Sequence, residues 1–237
     1  MTDTPAALRE AHHADVSGGW LRPAVFGAMD GLVTNIALIA GVGGGGVSPR
    51  SIVLTGSAGL VAGAISMGLG EYTSVRSANE QVAAEVAKER RELERHPEAE
   101  ARELADAWVA RGLPRDLATQ VAEAVRRDPE EALRVHVREE LGVDPDDQPS
   151  PWAAAISSFL FFSVGALIPL LPYLLGATDL WLALAVGGIG LFAAGAVVAK
   201  FTNRPWWTSG LRQLVLGAAA AGATYLVGSL IGVQGGL

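Results

Sequence analysis

The stretch PAVFGAMDGLVTNIALIAGVGGGG, residues 23–46, decides how this chain is read. It is long enough and apolar enough to cross a bilayer, yet it carries one carboxylate, Asp30. A charged side chain at the centre of a membrane helix costs roughly 2.5–3.5 kcal/mol even on the lenient insertion scale, and such residues are functional by default. A membrane span and a chemical task for Asp30 are therefore read from the same residues.

The rest of the chain is divided in the same way. Of 237 residues 50% are hydrophobic, and the mean hydropathy is +0.30. Segments 24–70, 152–199 and 213–237 are almost free of charge, whereas 71–150 holds most of the acids and most of the bases. Soluble domains interleave polar and apolar positions. Apolar blocks of about 18 residues or more read as transmembrane helices. The class is an all-α polytopic membrane protein with one charged helical insertion. Cysteine is absent, which excludes disulfides and thiolate metal sites. The opening residues are too polar for too long to be a signal peptide, so the first span is expected to be retained. With a net charge of −7 and no basic patch, nothing invites nucleic acid.

Five spans are expected, at about 23–46, 51–70, 151–173, 178–200 and 208–234. GGGGVSPR turns the chain after the first, since Gly and Pro are the strongest local breakers. No breaker follows Gly70 until Pro97, so the second span is expected to continue as one long helix into solvent. Three shorter helices follow, at about 98–111, 115–127 and 129–141, each ended by a Gly or Pro signal. DPDDQPSP leads back to the membrane. The expected divisions are a tail (1–22), spans one and two (23–70), a helical metal-binding domain (71–150) and spans three to five (151–237). Bases lie before span one, between spans two and three, and around the turn between spans four and five; only Arg50 falls on the other side. By the positive-inside rule the N-terminus and the inserted domain are cytoplasmic and the C-terminus is outside.

Asp30 lies about a third of the way into span one, and Met67 lies toward the same end of span two. Alone, Met67 reads as an apolar filler, and Asp30 could simply bond to Thr34 or Asn35. Together they pair a hard donor with a soft one. That mixture suits a borderline divalent transition ion better than Mg²⁺ or Ca²⁺. Asp30 could also take up a proton when the metal leaves. Gly59 and Gly63 form a small-xxx-small pair in span two, which ordinary helix packing explains equally well.

Within the insertion, Glu89 and Glu92 share a helix face, Glu100 and Glu103 repeat the spacing, and His136 and Glu140 are four apart. If these helices fold together, carboxylates and an imidazole converge into a set that suits Fe²⁺, Mn²⁺ or Zn²⁺. The competing reading is a solvated charged surface. It expects Glu98, Glu123 and Glu130 to pair with Arg102, Arg127 and Arg134, four residues along.

The elements DGLVTNIALIAGV, AGAISMGLGEYTSVRSANE and REELGVDP, with PYL after a proline-bearing third span, resemble the vacuolar iron transporter family, in its bacterial form. The resemblance covers nearly the whole chain from about residue 20. It implies a homodimer of five-span protomers that exchanges Fe²⁺, and often Mn²⁺, for protons and moves metal out of the cytosol. The implied pathway runs between the protomers, lined by the first spans, so that a twofold axis supplies two copies of each donor. Asp30 and Met67 fall on the family's pore aspartate and methionine. Glu89, Glu92, Glu100, Glu103 and Glu140 fall on the glutamates of its cytoplasmic metal-binding domain. The chain also departs from the pattern. Gly59 and Pro23 stand where members can carry acids, and His136 and Val137 where they can carry methionines. The route then depends more on Asp30, and the cytoplasmic site is harder. Glu71, at the membrane mouth, is a candidate relay.

Two other functions compete. A membrane di-iron oxidase needs paired Glu-x-x-His elements; Glu92 and His96 are four apart and no second pair exists. A metal sensor or store would bind without transporting, and would leave Asp30 without a task. No resident cofactor is required; Zn²⁺ and Co²⁺ stay open as cargo beside Fe²⁺ and Mn²⁺. Arg far outnumbers Lys and Ala is abundant, which points to a GC-rich bacterial genome and a cell-membrane location.

Overall fold

A computed structural model describes residues 19–145, 147–202 and 204–234. The tail up to residue 18, with His12 and His13, lies outside the described residues. Eight helices and no strands make up the described residues: α1 (Leu21–Gly44), α2 (Pro49–Arg95), α3 (Pro97–Ala110), α4 (Arg115–Val125), α5 (Pro129–Glu140), α6 (Pro151–Leu174), α7 (Leu180–Thr202) and α8 (Trp206–Gln234). Five of these, α1, α2, α6, α7 and α8, are long and apolar enough to cross a membrane.

Local chemistry explains where the helices begin. Ser48, Asp128 and Ser150 each precede a proline at the first helical position, and each side chain accepts a backbone N–H from the first turn. Proline there lacks only an N–H that would have no helical partner, while the cap oxygen satisfies another. The 47 residues of α2 run unbroken, as the absence of any breaker before Pro97 requires. Pro169 and Pro172 lie inside α6 without ending it. Packing against neighbouring helices tolerates such residues in membrane spans.

Helix α1 is the centre of the apolar bundle and touches α2, α6, α7 and α8. Leu32, Ile36 and Ala40 on one side of it bury against Leu191 and Ala221; Ile39 meets Ile52, Leu170 and Tyr173 on another. Glycine permits the closest of the crossings. A Cβ at Gly31 would collide with the Phe162 carbonyl oxygen of α6, and one at Gly228 with the Gly41 carbonyl oxygen of α1. Without a hydrophobic difference between lipid and core, such close backbone approach is what holds membrane helices together. Asn35, buried in the same helix, donates from Nδ2 to the Ala166 carbonyl of α6 at 2.5 Å.

The apolar half of α2 packs on α6, and the polar half carries α3–α5. α3 and α4 share a small alanine-rich core of Ala101, Leu104, Ala105, Ala118 and Ala122, against which Val135 of α5 packs. α5 lies back along α2, tied there by Arg90 to Glu130 at 2.7 Å. Where α2 and α6 leave the bundle, Tyr72 packs on Trp152 with ring centroids 4.9 Å apart, and Asn79 donates to the Pro149 carbonyl at 3.0 Å.

Candidate metal centre

The polar half of α2 meets α3 and α5 along one seam, and the seam is lined with acids. Glu89 of α2, Glu100 of α3, and His136 and Glu140 of α5 each bring one donor atom to a single point, all within 4.8 Å of one another. The helical spacing explains which residues arrive. His136 and Glu140 lie one turn apart on the face of α5 that rests on α2. Ala132, Leu133 and Val137 bury beside them and seat that helix. Glu100 lies in the first turn of α3, whose Ala101, Leu104 and Ala105 form the small core.

The imidazole is the hub. His136 Nδ1 lies 3.2 Å from Glu89 Oε1, 3.3 Å from Glu140 Oε1 and 4.0 Å from Glu100 Oε2. His136 and Glu89 are buried, at 2% and 7% exposure, while Glu140 opens to solvent. One imidazole nitrogen cannot satisfy three carboxylates, and Glu89 Oε1 has no hydrogen bond of good geometry. Burying ionised groups without partners is expensive. Burial accordingly lifts the Glu89 carboxyl from 4.5 to about 7, and the charges of Glu140, Glu100, Glu92 and Glu103 push it the same way. Glu100 is also raised, first by burial and then by Glu103, against the opposing pull of His136. A divalent cation would relieve this cost by replacing the proton on Glu89 with two positive charges. Three carboxylates and one imidazole are hard and borderline donors of the kind that hold Fe²⁺, Mn²⁺ or Zn²⁺.

Glu92 and Glu103 are not among the four converging donors. Glu92 is half-buried and Glu103 exposed, close enough for their charge to be felt at Glu89. His96 is exposed at the α2–α3 joint, away from that group despite its spacing from Glu92. The ion pairs expected of a merely solvated surface are partly replaced. Glu123 pairs with Arg126, three residues along, at 2.8 Å, and Glu130 reaches across to Arg90 on α2. Both choices follow from helix geometry, which brings i+3 as near as i+4 and puts the start of α5 beside α2.

In the apolar bundle, Asp30 is half-buried on α1 and accepts from Thr34 Oγ1 at 3.4 Å, one turn on. Met67 is half-buried on α2, against the cluster of Ala64, Phe162 and Ala166. Glu71 is half-buried one turn beyond it, next to Tyr72. Gly59 faces Leu38 and Asn35, where a Cβ would sit 3.4 Å from Leu38 Cδ2. Inspection of the sequence missed one polar contact here: Gln213 Nε2 of α8 lies 2.8 Å from Met29 Sδ of α1. Gln213 follows Arg212 in the polar first turns of α8, so the sequence carried no signal that set it apart.

The family model described as the VIT family matches residues 21–229. The chain belongs to the VIT family. Its relatives include vacuolar iron transporter 1 of Oryza sativa subsp. japonica, 34% identical over 233 residues that cover 95% of this chain and 92% of the relative. Vacuolar iron transporter 1 of Arabidopsis thaliana is 31% identical over 226 residues, 93% and 90% of the two chains. The vacuolar iron transporter of Acanthamoeba castellanii is 36% identical over 236 residues, 95% and 84%. In this VIT-family chain the match spans the apolar bundle and the acidic seam alike, so both belong to one family unit rather than to a fusion.

Proposed function

We propose that this VIT-family protein is a proton-coupled antiporter that exports Fe²⁺, Mn²⁺ or both from the cytosol. The observation that carries the proposal is the convergence of Glu89, Glu100, His136 and Glu140 on one point beside a five-span bundle. The names of the relatives support iron as cargo; the donor set leaves Mn²⁺, Zn²⁺ and Co²⁺ as further cargo.

In this mechanism residues 71–150 form a cytoplasmic metal-binding domain. Glu92 and Glu103 at its rim raise the local cation concentration. Glu89, Glu100, Glu140 and His136 hold the ion, displacing the proton that burial keeps on Glu89 near neutral pH. The ion then passes to the membrane, with Glu71 as relay at the mouth. The pathway runs between two protomers along α1, so that a twofold axis gives two Asp30 carboxylates and two Met67 thioethers. One of each cannot enclose a cation; two of each can neutralise it and replace its water. Asp30 takes a proton as the ion departs, which couples the two fluxes. The distribution of bases supports a cytoplasmic N-terminus, and the Arg-rich, Ala-rich composition supports a bacterial cell membrane.

The test is uptake into vesicles of purified protein, with Fe²⁺ or Mn²⁺ on one side and a pH step across the bilayer. Transport that accelerates with the opposing proton gradient supports the antiporter. Saturable binding with no flux in either gradient direction would leave a sensor or store, and the proposal would fall.

A further inference from the structure

We infer that the Thr34 hydroxyl is a second oxygen donor to the cation at Asp30, so that one turn of α1 offers the passing ion a chelating pair. The inference rests on the proposal that Asp30 lies on the transport route.

Three observations carry it. First, the two oxygens are already neighbours. Thr34 Oγ1 lies 3.4 Å from Asp30 Oδ1, and the two residues stand one turn apart on α1. That is long for a hydroxyl bonded to a carboxylate, which closes to about 2.5–2.7 Å. It matches what one ion requires: two oxygens each about 2.1 Å from a small divalent cation lie about 3.0–3.4 Å apart at angles between a right angle and the tetrahedral one. Second, both residues lie on a part-open row of α1. Each is half-buried. Phe26, one turn before Asp30, is 58% exposed, and Ala37, Leu38 and Gly41, beyond Thr34, line a groove of about 860 Å³ between α1 and α8. Asp30 Oδ2 takes no hydrogen bond from the described residues. Third, Thr34 does not use its hydroxyl as Thr73, Ser163 and Thr224 do. Thr73 and Ser163 donate to the carbonyls of Leu69 and Phe159, four residues back, at 2.9 and 2.8 Å, and Thr224 donates to the Ala37 carbonyl at 2.6 Å. Thr34 turns to a side chain instead.

A cation arriving between the two oxygens needs the hydroxyl hydrogen out of its way. The hydroxyl carries one hydrogen and two lone pairs, and it rotates to suit. The Asp30 backbone carbonyl, four residues back, is the acceptor that the helix offers that hydrogen. A lone pair then faces the ion, and no proton leaves the hydroxyl.

The alternative is that the hydroxyl only satisfies the carboxylate, since polar side chains do bond within membrane bundles. The two roles differ in what they do to ion choice. A neutral oxygen adds to the hard half of the donor set, which suits Mn²⁺ better than the softer Fe²⁺. A bond that merely holds Asp30 acts on both ions alike.

The experiment compares Mn²⁺ and Fe²⁺ flux in proteoliposomes for wild type, Thr34→Val, Thr34→Ser and Asp30→Ala. Valine keeps the shape of threonine and removes the oxygen; serine keeps the oxygen and removes the methyl. Thr34→Val is expected to raise the Mn²⁺ KM at least about fivefold and the Fe²⁺ KM by at most about half that factor, the effect of losing one neutral oxygen ligand. Thr34→Ser is expected to stay within about twofold of wild type for both ions. If Thr34→Val does not insert, Thr34→Ser and Thr34→Ala, which differ by the hydroxyl alone, read the same ratio. Unchanged KM values, an equal rise for both ions, or a defect in Thr34→Ser as large as that in Thr34→Val overturns the inference. If Asp30→Ala still transports at the wild-type rate, the reading of the route fails and this inference with it; if Asp30→Ala is inactive and the ratio is unmoved in the Thr34 variants, only this inference fails.

Discussion

Replacing Glu89 by Gln should make the metal-free protein more stable and the metal-binding protein worse. Glu89 is buried among four other carboxylates, and its group is lifted from 4.5 to about 7. The folded state therefore holds a proton that the unfolded state has released between those two values. That contribution to stability is complete below pH 4.5 and is lost as pH rises through about 7. At about 1.4 kcal/mol per pH unit the upper limit is about 3 kcal/mol. Glu140 opens the cluster to water, and screening reduces the figure to about 1–2 kcal/mol. Glutamine keeps the shape and removes the charge. In detergent with a chelator, thermal unfolding of Glu89→Gln should exceed that of wild type at pH 8 and converge with it at pH 4.5. Mn²⁺ affinity of the full-length protein, read by calorimetry at pH 8, should fall at least about tenfold, the equivalent of 1.4 kcal/mol. A variant that is less stable than wild type at pH 8, or equally stabilised at both pH values, would refute the reasoning.

Other perturbations follow from the same geometry. His136→Leu removes the only nitrogen from the four-donor set, so Zn²⁺ affinity should fall by about tenfold or more and Mn²⁺ affinity by less, measured by competition with a chromogenic chelator. Mn²⁺ at 100 times its Kd should stabilise the wild type by about 2.7 kcal/mol against thermal unfolding at pH 8. The same addition should do little at pH 4.5, where protons occupy Glu89. Gly31→Val drives a branched side chain into the Phe162 carbonyl of α6. It should cost about 2 kcal/mol or more and show as a lost monodisperse peak in size-exclusion chromatography.

The apolar spans and the long second helix were legible in the sequence because they depend on local composition. Eighteen uncharged residues and the lack of any breaker between Gly70 and Pro97 leave few alternatives. Helix starts at Pro129 and Pro151 were marked by proline behind a capping residue, whereas Pro49, read as part of the turn, opens α2 two residues before the expected start. The acidic seam was legible only in halves. Spacing puts His136 and Glu140 on one face, but it does not say that this face meets Glu89 and Glu100, since that depends on how α5 folds back along α2. The ion pairs show the limit most clearly. Glu130 has Arg134 four residues on, yet tertiary packing brings Arg90 to it from α2. The contact between Met29 and Gln213 spans 184 residues and has no local trace, since Gln213 sits beside Arg212 in the polar first turns of α8.

The central claim is that Asp30 couples metal movement to proton movement. Its most direct test is one proteoliposome experiment that follows Fe²⁺ or Mn²⁺ entry and internal pH together, for wild type and Asp30→Ala. Metal and protons moving in opposite directions in wild type, with both movements lost in a variant that still inserts and folds, is the predicted result. Metal flux that persists in Asp30→Ala, or that proceeds in wild type without any proton movement, would contradict the account.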